Sequence, residues 1–196
     1  MKVFLGGEGR NELGSWCGHP SYQSGDVCGV LEALLRKVKS DGWSIVGGIA
    51  WKDIRKLRAN SPGEAERHNV RALVLKAREA GCDLVAFVRD RDGAPDRESA
   101  VMDGLREVQT GADDPIVIGG MAIEKIEGWM LALKGQHRSE THKHPEKQTK
   151  DLGIDDKDTA EMVQTIETAD FDRLPSDATS LQGWLEQARK AFGLAE

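Results

Sequence analysis

Two aspartates separated by one residue, Asp90 and Asp92, directly follow a continuously apolar run at residues 84–88. Residues two apart in an extended segment point to the same side, so we expect Asp90 and Asp92 on one side and Arg89 and Arg91 on the other. Two carboxylates placed so close repel each other, and a divalent cation such as Mg²⁺ relieves the repulsion. The alternative for an isolated Asp-x-Asp pair is a solvated acidic loop.

A third carboxylate, Glu8, stands between Gly7 and Gly9 after a short apolar run at residues 2–5. The flanking glycines allow a ligand or a metal to approach the backbone closely. If both apolar runs are parallel strands, Glu8 and the aspartate pair lie beyond the carboxyl ends of strands, where open α/β sheets bind their ligands. We therefore expect these carboxylates to converge on one cleft.

Two further glutamates belong to a segment, residues 123–133, whose spacing predicts a helix. The apolar face of this helix is formed by Ile123, Ile126, Met130 and Leu133. Glu127 lies on or beside that face, where an unpaired carboxylate is costly, and Glu124 lies just outside it. Glu127 therefore either forms a salt bridge, with Arg89, Arg91 or Lys125 as candidates, or serves as a second metal-binding or acid–base carboxylate.

Hydrophobic periodicity predicts the elements that position these side chains. The predicted strands cover residues 2–5, 43–49, 84–88 and 116–118, and the predicted helices cover 26–39, 62–80, 97–109 and 123–133. This alternation indicates an α/β fold with a mostly parallel, Rossmann-like sheet of about four strands flanked by helices. The glycine-rich segment 9–25 is predicted to be a loop.

The pattern changes after residue 134, which we take as the end of the α/β domain, residues 1–134. Residues 135–155 are predicted to be a polar loop, and residues 156–196 a C-terminal helical extension with helices near 156–168 and 178–192. The apolar face of the last helix is formed by Leu181, Trp184, Leu185 and Phe192. That face could serve packing within the chain or docking of a partner.

Composition limits the class of protein. The chain has 196 residues with 27 Lys and Arg against 33 Asp and Glu, a formal net charge of −6, which argues against a protein that coats nucleic acid by charge alone. It leaves open an enzyme that cuts nucleic acid with metal held by carboxylates. The apolar runs are too short for the ~20 residues of a membrane span, the first residues are too short for a signal peptide, and three widely spaced cysteines suit a reducing compartment. We therefore expect a cytoplasmic protein.

Glu8 in its glycine-flanked turn and the Asp90–Arg91–Asp92 motif together resemble the TOPRIM domain, the metal-dependent core of topoisomerases, primases and OLD-family nucleases. That family has a glutamate after its first strand and an Asp-x-Asp motif after its third. Residues 123–131 look like the glutamate-rich, tryptophan-containing segment of small stand-alone bacterial TOPRIM proteins, some of which are linked to ABC-type ATPases in phage defence. The resemblance covers residues 1–134.

The resemblance implies that Glu8, Asp90, Asp92, Glu124 and Glu127 hold one or two Mg²⁺ (or Mn²⁺) ions, with Glu8 as a general acid–base or a metal ligand. The function it implies is a Mg²⁺-dependent nuclease acting on DNA or RNA, an effector of bacterial anti-phage defence that works with an ABC- or OLD-type ATPase. Two alternatives remain open. One is a non-catalytic regulatory subunit that binds a partner through the C-terminal helices, and the other is a small RNA-processing ribonuclease.

Residues 51–80 carry eight basic and four acidic side chains, so this stretch is locally basic in an acidic chain. The candidate phosphate-contacting residues are Lys52, Arg55, Lys56, Arg58, Arg67 and Arg71. The alternative is a solvated helix face and connector, and Lys143, Lys147 and Lys150 form a second basic edge. Because the acidic total predicts weak affinity for nucleic acid, we expect a partner or a homo-oligomer to strengthen binding.

Overall fold

Four parallel strands form a single sheet in the computed structural model, which describes residues 1–17, 27–54, 62–108, 114–155 and 157–194. The strands are β1 (Lys2–Gly7), β2 (Ser44–Ala50), β3 (Leu84–Asp90) and β4 (Ile116–Ala122). They are ordered β2-β1-β3-β4, and every neighbouring pair is parallel. The predicted α/β fold with a four-stranded parallel sheet is confirmed.

Eight α-helices lie in the described ranges. They are α1 (Arg10–Leu13), α2 (Val30–Val38), α3 (Pro62–Glu79), α4 (Pro95–Val108), α5 (Ile126–Leu133), α6 (Pro145–Asp151), α7 (Thr159–Thr168) and α8 (Thr179–Ala191). Two segments predicted to be loops contain helix. The segment 9–25 begins with α1 and a 3₁₀ turn at Gly14–Cys17, and the segment 135–155 contains a 3₁₀ turn at Ser139–Thr141 and then α6.

The sheet is covered on both faces, as the continuously apolar strands predict. Alternate residues of β3 face opposite cores: Leu84, Ala86 and Val88 pack with α2, α5, α7 and α8, whereas Val85 and Phe87 pack with α3 and α4. At the carboxyl end of β3 this alternation continues into charged residues. The end of this strand therefore places Arg89 on one face of the sheet and Asp90 on the other.

The C-terminal helices belong to the same core as the sheet. Trp184 of α8 is buried and its Nε1 donates a hydrogen bond to the carbonyl oxygen of Phe87, at 3.0 Å, while Gln187 accepts one from the backbone N–H of Gly119 at 3.1 Å. Glu140 is buried at the start of α8, where its carboxylate accepts hydrogen bonds from the backbone N–H groups of Ser180 and Leu181. The apolar face of α8 therefore serves packing within the chain.

The boundary between β4 and α5 differs from the expected one. The strand runs through Gly119 and Gly120 to Ala122, and α5 begins only at Ile126. Glu124 consequently lies in the connecting turn, with a left-handed φ of 63°, and the expectation that it is a helical residue is wrong. None of the helices in the described residues is long and apolar enough to cross a membrane.

Candidate active site

Glu8 and Asp90 meet at the carboxyl ends of β1 and β3. The two strands are direct neighbours, with Gly6 of β1 in register with Phe87 of β3, so the residues that follow them lie side by side. Oε1 of Glu8 accepts a hydrogen bond from the backbone N–H of Asp90 at 3.1 Å. The sheet order thus brings the carboxylate of Glu8 onto the backbone of Asp90, a residue 82 positions away in the sequence.

The carboxylate of Asp90 occupies an unusually acidic environment. Its Oδ1 accepts a hydrogen bond from the backbone N–H of Ile126, at 2.9 Å, at the first residue of α5. The pKa of Asp90 is raised to about 8, chiefly by burial and then by the neighbouring carboxylates of Glu12, Glu127 and Asp92, in that order, against the lowering effect of the Ile126 hydrogen bond. The charged form of Asp90 is therefore disfavoured unless a cation joins it.

Glu12 is a member of this site that the sequence analysis did not identify. It lies in α1 at 5% exposure, and its Oε2 accepts a hydrogen bond from the backbone N–H of Gly9 at 2.8 Å. Burial raises its pKa as well. The glycine at position 7 allows this placement, because a Cβ there would lie 2.6 Å from the Cβ of Glu12. A glutamate three residues after Gly9 is the capping signal that could have indicated a helix here.

Asp92 departs from the expected geometry. The strand ends at Asp90, and Asp92 has a left-handed φ of 51°, so the expectation of an extended segment with both aspartates on one side is wrong. The turn is held by a hydrogen bond from the N–H of Asp92 to the carbonyl of Glu124, at 2.9 Å, and Oδ2 of Asp92 pairs with Arg97 at 2.8 Å. Asp92 nevertheless remains close enough to raise the pKa of Asp90.

Arg89 projects to the opposite face of β3 from Asp90 and connects two glutamates there. Its guanidinium pairs with Glu8 and also with Glu66 of α3, at 3.2 Å between Nη2 and Oε1. Glu66 is 9% exposed and accepts a further hydrogen bond from Nε1 of Trp51 at 2.7 Å. The sequence already indicated that Glu66 is buried, because Glu66 precedes Val70 by four residues and therefore lies on the predicted apolar face of the helix.

Arg97 of α4 completes this network. It pairs with Glu66 at 3.2 Å and with Asp92, and its Nη1 donates to the backbone carbonyl of Asp90 at 2.9 Å. One guanidinium thereby fixes the turn that follows β3 to both flanking helices. The sequence offered no comparable signal for Arg97, which stands near the exposed start of a predicted helix.

The remaining predicted carboxylates, Glu124 and Glu127, have different surroundings. Glu124 pairs with Arg91 in the turn before α5. Glu127 lies half-buried in the first turn of α5, where its charge adds to burial and Glu12 in raising the pKa of Asp90, and adds to Glu146 in raising the pKa of Lys125 against the lowering effect of burial. Three cations were expected as partners for Glu127, and the charge of Glu127 affects the pKa of one of them, Lys125. The other two, Arg89 and Arg91, pair with other carboxylates.

The side chains at this site offer carboxylate oxygens, which a hard cation such as Mg²⁺ prefers while it retains several waters. In the chain segments that the structure describes, no group of three or more His, Cys, Asp and Glu side chains is arranged to hold a metal ion. Among the described residues, the contacts of these two side chains use Oδ1 of Asp90 and Oε1 of Glu8, which leaves their second oxygens for a cation. One or two carboxylates suffice for Mg²⁺, so Asp90 and Glu8 fit the cation chemically, with Glu127 nearby.

The predicted phosphate-contacting stretch, residues 51–80, is only partly described. Arg55, Lys56 and Arg58 lie outside the described residues, and Lys52 is exposed. Arg67 and Arg71 of α3 both pair with Glu107 of α4, at 3.4 and 3.5 Å. Two of the candidate cations therefore share one carboxylate on the outer surface of the helices, away from the face that contains Asp90.

The chain matches no family model, no curated protein and no solved structure. The resemblance to TOPRIM domains therefore still depends on Glu8, the Asp90–Asp92 motif and the segment around Trp129, and the family assignment stays a prediction.

Proposed function

We propose that the protein is a metal-dependent nuclease that hydrolyses phosphodiester bonds in DNA or RNA at the carboxyl ends of β1 and β3. The observation that carries the proposal is the buried carboxylate of Asp90 at the carboxyl end of β3, close to the carboxylates of Glu12 and Glu127, with Glu8 from the end of the neighbouring strand bonded to its backbone N–H. Titratable groups perturbed in this way are concentrated at functional sites. A metal-dependent phosphodiesterase holds Mg²⁺ or Mn²⁺ through carboxylates such as these.

A bound divalent cation would supply an activated water and stabilisation of the leaving oxygen. Asp90 would be its main ligand, because a nearby cation restores the charged form that burial disfavours. Glu8 would accept or donate a proton, or contribute its second oxygen as a ligand, while Arg89 holds the other oxygen in place. The Asp90 carboxyl is fixed in orientation by the N–H of Ile126.

We extend the proposal to a cytoplasmic effector of bacterial anti-phage defence that works with an ABC- or OLD-type ATPase. The support for this extension is the resemblance to small stand-alone TOPRIM proteins. An RNA-processing ribonuclease is the same chemistry on a different substrate, and the substrate panel below distinguishes it.

A second candidate is a non-catalytic regulatory subunit with the same fold. The observation that favours it is that Glu8, Asp92 and Glu124 each pair with an arginine, so three of the five predicted ligands are already neutralised by the chain itself. Docking through the apolar face of α8 is not part of this candidate, since Leu181, Trp184 and Leu185 are at most 1% exposed.

The test is a cleavage assay with plasmid, single-stranded DNA and tRNA in Mg²⁺, Mn²⁺ or EDTA. The variants are Asp90→Asn and Glu8→Gln, and the control is Asp103→Asn, an exposed carboxylate on α4. Metal-dependent cleavage that is lost in both site variants and retained in the control supports the nuclease. Cleavage that survives both substitutions contradicts the site, and a protein that neither cleaves nor binds Mg²⁺ or Mn²⁺ in calorimetry favours the regulatory subunit.

A further inference from the structure

A pocket of about 600 Å³ opens beside the candidate active site, between the turn after β3, the turn after β4 and the segment that precedes α6. It shares Asp92 and Glu124 with the site described above. Its volume lies within the range of about 300–1,000 Å³ that small-molecule sites usually have. A ligand group in this pocket would therefore lie next to the carboxylates of the proposed nuclease.

The lining of the pocket combines neutralised carboxylates with accessible cations. Glu124 pairs with Arg91, and Asp92 pairs with Arg97 from outside the pocket. Lys143 is exposed and forms no ion pair within the described part of the chain. The charge that remains for a ligand is therefore positive.

Two more basic groups flank Lys143. Lys125 contributes an ammonium group that pairs with Glu146 at 3.4 Å, and His144 places an exposed imidazole on the same wall, 3.2 Å from the same carboxylate. Lysine ammonium groups on flexible side chains are suited to phosphate as point charges. Lys125 and Lys143 come from separate elements, so it is the fold that brings them to one pocket.

The backbone around the pocket is strained in two places. Asp92 and Glu124 both have left-handed φ angles, and the N–H of the first donates to the carbonyl of the second. Such conformations cost of order 1–3 kcal/mol each for residues other than glycine and occur preferentially at ligand-binding turns. The two turns that border the pocket are thus held in a defined shape.

We propose that this pocket binds a backbone phosphate of a single-stranded nucleic acid, through Lys125 and Lys143, next to the bond that is cut. The inference rests on the proposed function, because it names where that site holds its substrate. It also places the phosphate contacts on the edge formed by the turn after β4 and the segment before α6, rather than on residues 51–80. The carboxylates alone would repel a phosphate, so cations are required at this position.

The experiment measures binding of a fluorescent 20-nucleotide single strand, as DNA and as RNA, to the full chain in EDTA at several salt concentrations. The variants are Lys125→Gln, Lys143→Gln and the double variant. The matched control is Lys134→Gln, an exposed lysine just beyond the last residue of α5, at the opposite end of that helix from Lys125.

The logarithm of the affinity falls with the logarithm of salt concentration by about 0.7 for each phosphate contact with a single strand. We expect the double variant to lower this slope by about 1.4, each single variant by about half of that, and the control to leave it unchanged. Equal slopes for the double variant, the control and the unmodified protein would overturn the inference.

The outcome separates the two proposals. If the salt dependence of binding is unchanged in the double variant but the protein cleaves nucleic acid in a metal-dependent way, the phosphate pocket is rejected and the nuclease proposal stands. If the salt dependence of binding is reduced in the double variant but the protein shows no cleavage in Mg²⁺ or Mn²⁺, the phosphate pocket stands and the nuclease proposal is rejected.

Discussion

The two faces of β3 end in opposite arrangements of charge. On the face covered by α3 and α4, the guanidinium groups of Arg89 and Arg97 alternate with the carboxylates of Glu8, Glu66 and Asp92 in a network of ion pairs. On the face covered by α1 and α5, Asp90 is surrounded by the carboxylates of Glu12 and Glu127.

We infer that this difference separates a mainly structural role from a functional one, with Glu8, which also accepts a hydrogen bond from the backbone of Asp90, taking part in both. In the network, three carboxylates share two guanidinium groups, so most of their charge is compensated and the turn after β3 is fixed to two helices. A buried carboxylate whose neighbours are mainly other carboxylates destabilises the folded chain, and proteins retain such groups mainly where chemistry requires them. If the two faces differ in this way, substitutions on the Asp90 face should change activity and pH dependence, and substitutions on the Arg89 face should change stability.

The largest effect is expected from Asp90→Asn. The variant keeps the shape of the side chain and the hydrogen bond from Ile126, but it removes the carboxylate that the proposed metal site requires. We expect the proposed nuclease activity to fall by about 10²–10⁴-fold. In the same assay Asp103→Asn should retain full activity.

Asp90→Asn should also change how stability depends on pH. The ordinary pKa of an aspartate is 3.8 and the folded chain raises the pKa of Asp90 to about 8, so the unfolded chain loses this proton first as pH rises. The free energy of unfolding should therefore decrease between about pH 4 and pH 8, by at most about 1.4 kcal/mol per pH unit, and the variant should lose this decrease. Urea unfolding at pH 5 and pH 8 measures it, and an unaltered decrease in the variant would contradict the environment described for Asp90.

Glu66→Gln tests the other face, where the expected effect is on stability. Glu66 is buried and pairs with both Arg89 and Arg97, so the variant leaves two partly buried guanidinium groups without this partner. We expect a loss of about 3 kcal/mol, with no change in the pH dependence that comes from Asp90. The midpoint of urea unfolding measures the loss.

Glu79→Gln is the control for this variant, since Glu79 is exposed on the same helix. It should change the free energy of unfolding by less than about 0.5 kcal/mol. If Glu66→Gln were equally mild, the network around Arg89 would not be structural.

The sequence predicted the sheet and the neighbouring positions of the ends of β1 and β3, because both follow from hydrophobic patterns that are visible without tertiary information. Apolar runs identify buried parallel strands, and the carboxyl ends of such strands lie at one edge of the sheet. The positions of the residues that directly follow β1 and β3 are therefore predictable from the sequence alone. Those of their neighbours in the turns are not, because Asp92 and Glu124 adopt left-handed conformations that the residue types do not indicate.

The residues that the sequence analysis missed are those whose roles arise from contacts between distant elements. Glu12 was hidden in a segment predicted to be a loop, although its spacing from Gly9 carries a capping signal. Glu66 could have been found as a charge on an apolar helix face. Arg97 could not, since its partners come from β3 and α3.

A smaller effect is expected from Glu12→Gln, which returns to the Asp90 face. Glu12 makes the largest charge contribution to the raised pKa of Asp90, ahead of Glu127. Replacing it with a neutral side chain should lower the pKa of Asp90, and Glu127→Gln should lower it by less. Carboxyl carbon NMR titration of Asp90 measures both shifts, and a larger shift for Glu127→Gln would reverse the order of the two neighbours.

The smallest effect is expected from Arg71→Gln, on the outer surface of α3. Arg71 and Arg67 share Glu107 at partly exposed positions, and surface pairs of this kind contribute about 0–1 kcal/mol, so stability should change by less than about 0.5 kcal/mol.

The informative measurement for Arg71→Gln is the salt dependence of binding to the same single strand that is used to test Lys125 and Lys143. An unchanged slope would leave the pocket beside Asp92 as the phosphate-binding surface. A fall of about 0.7 would instead place a phosphate on α3, because that is the contribution of one lost contact. In that case the face of matched charges would also bind substrate, and the division of β3 into a structural and a functional face would no longer hold.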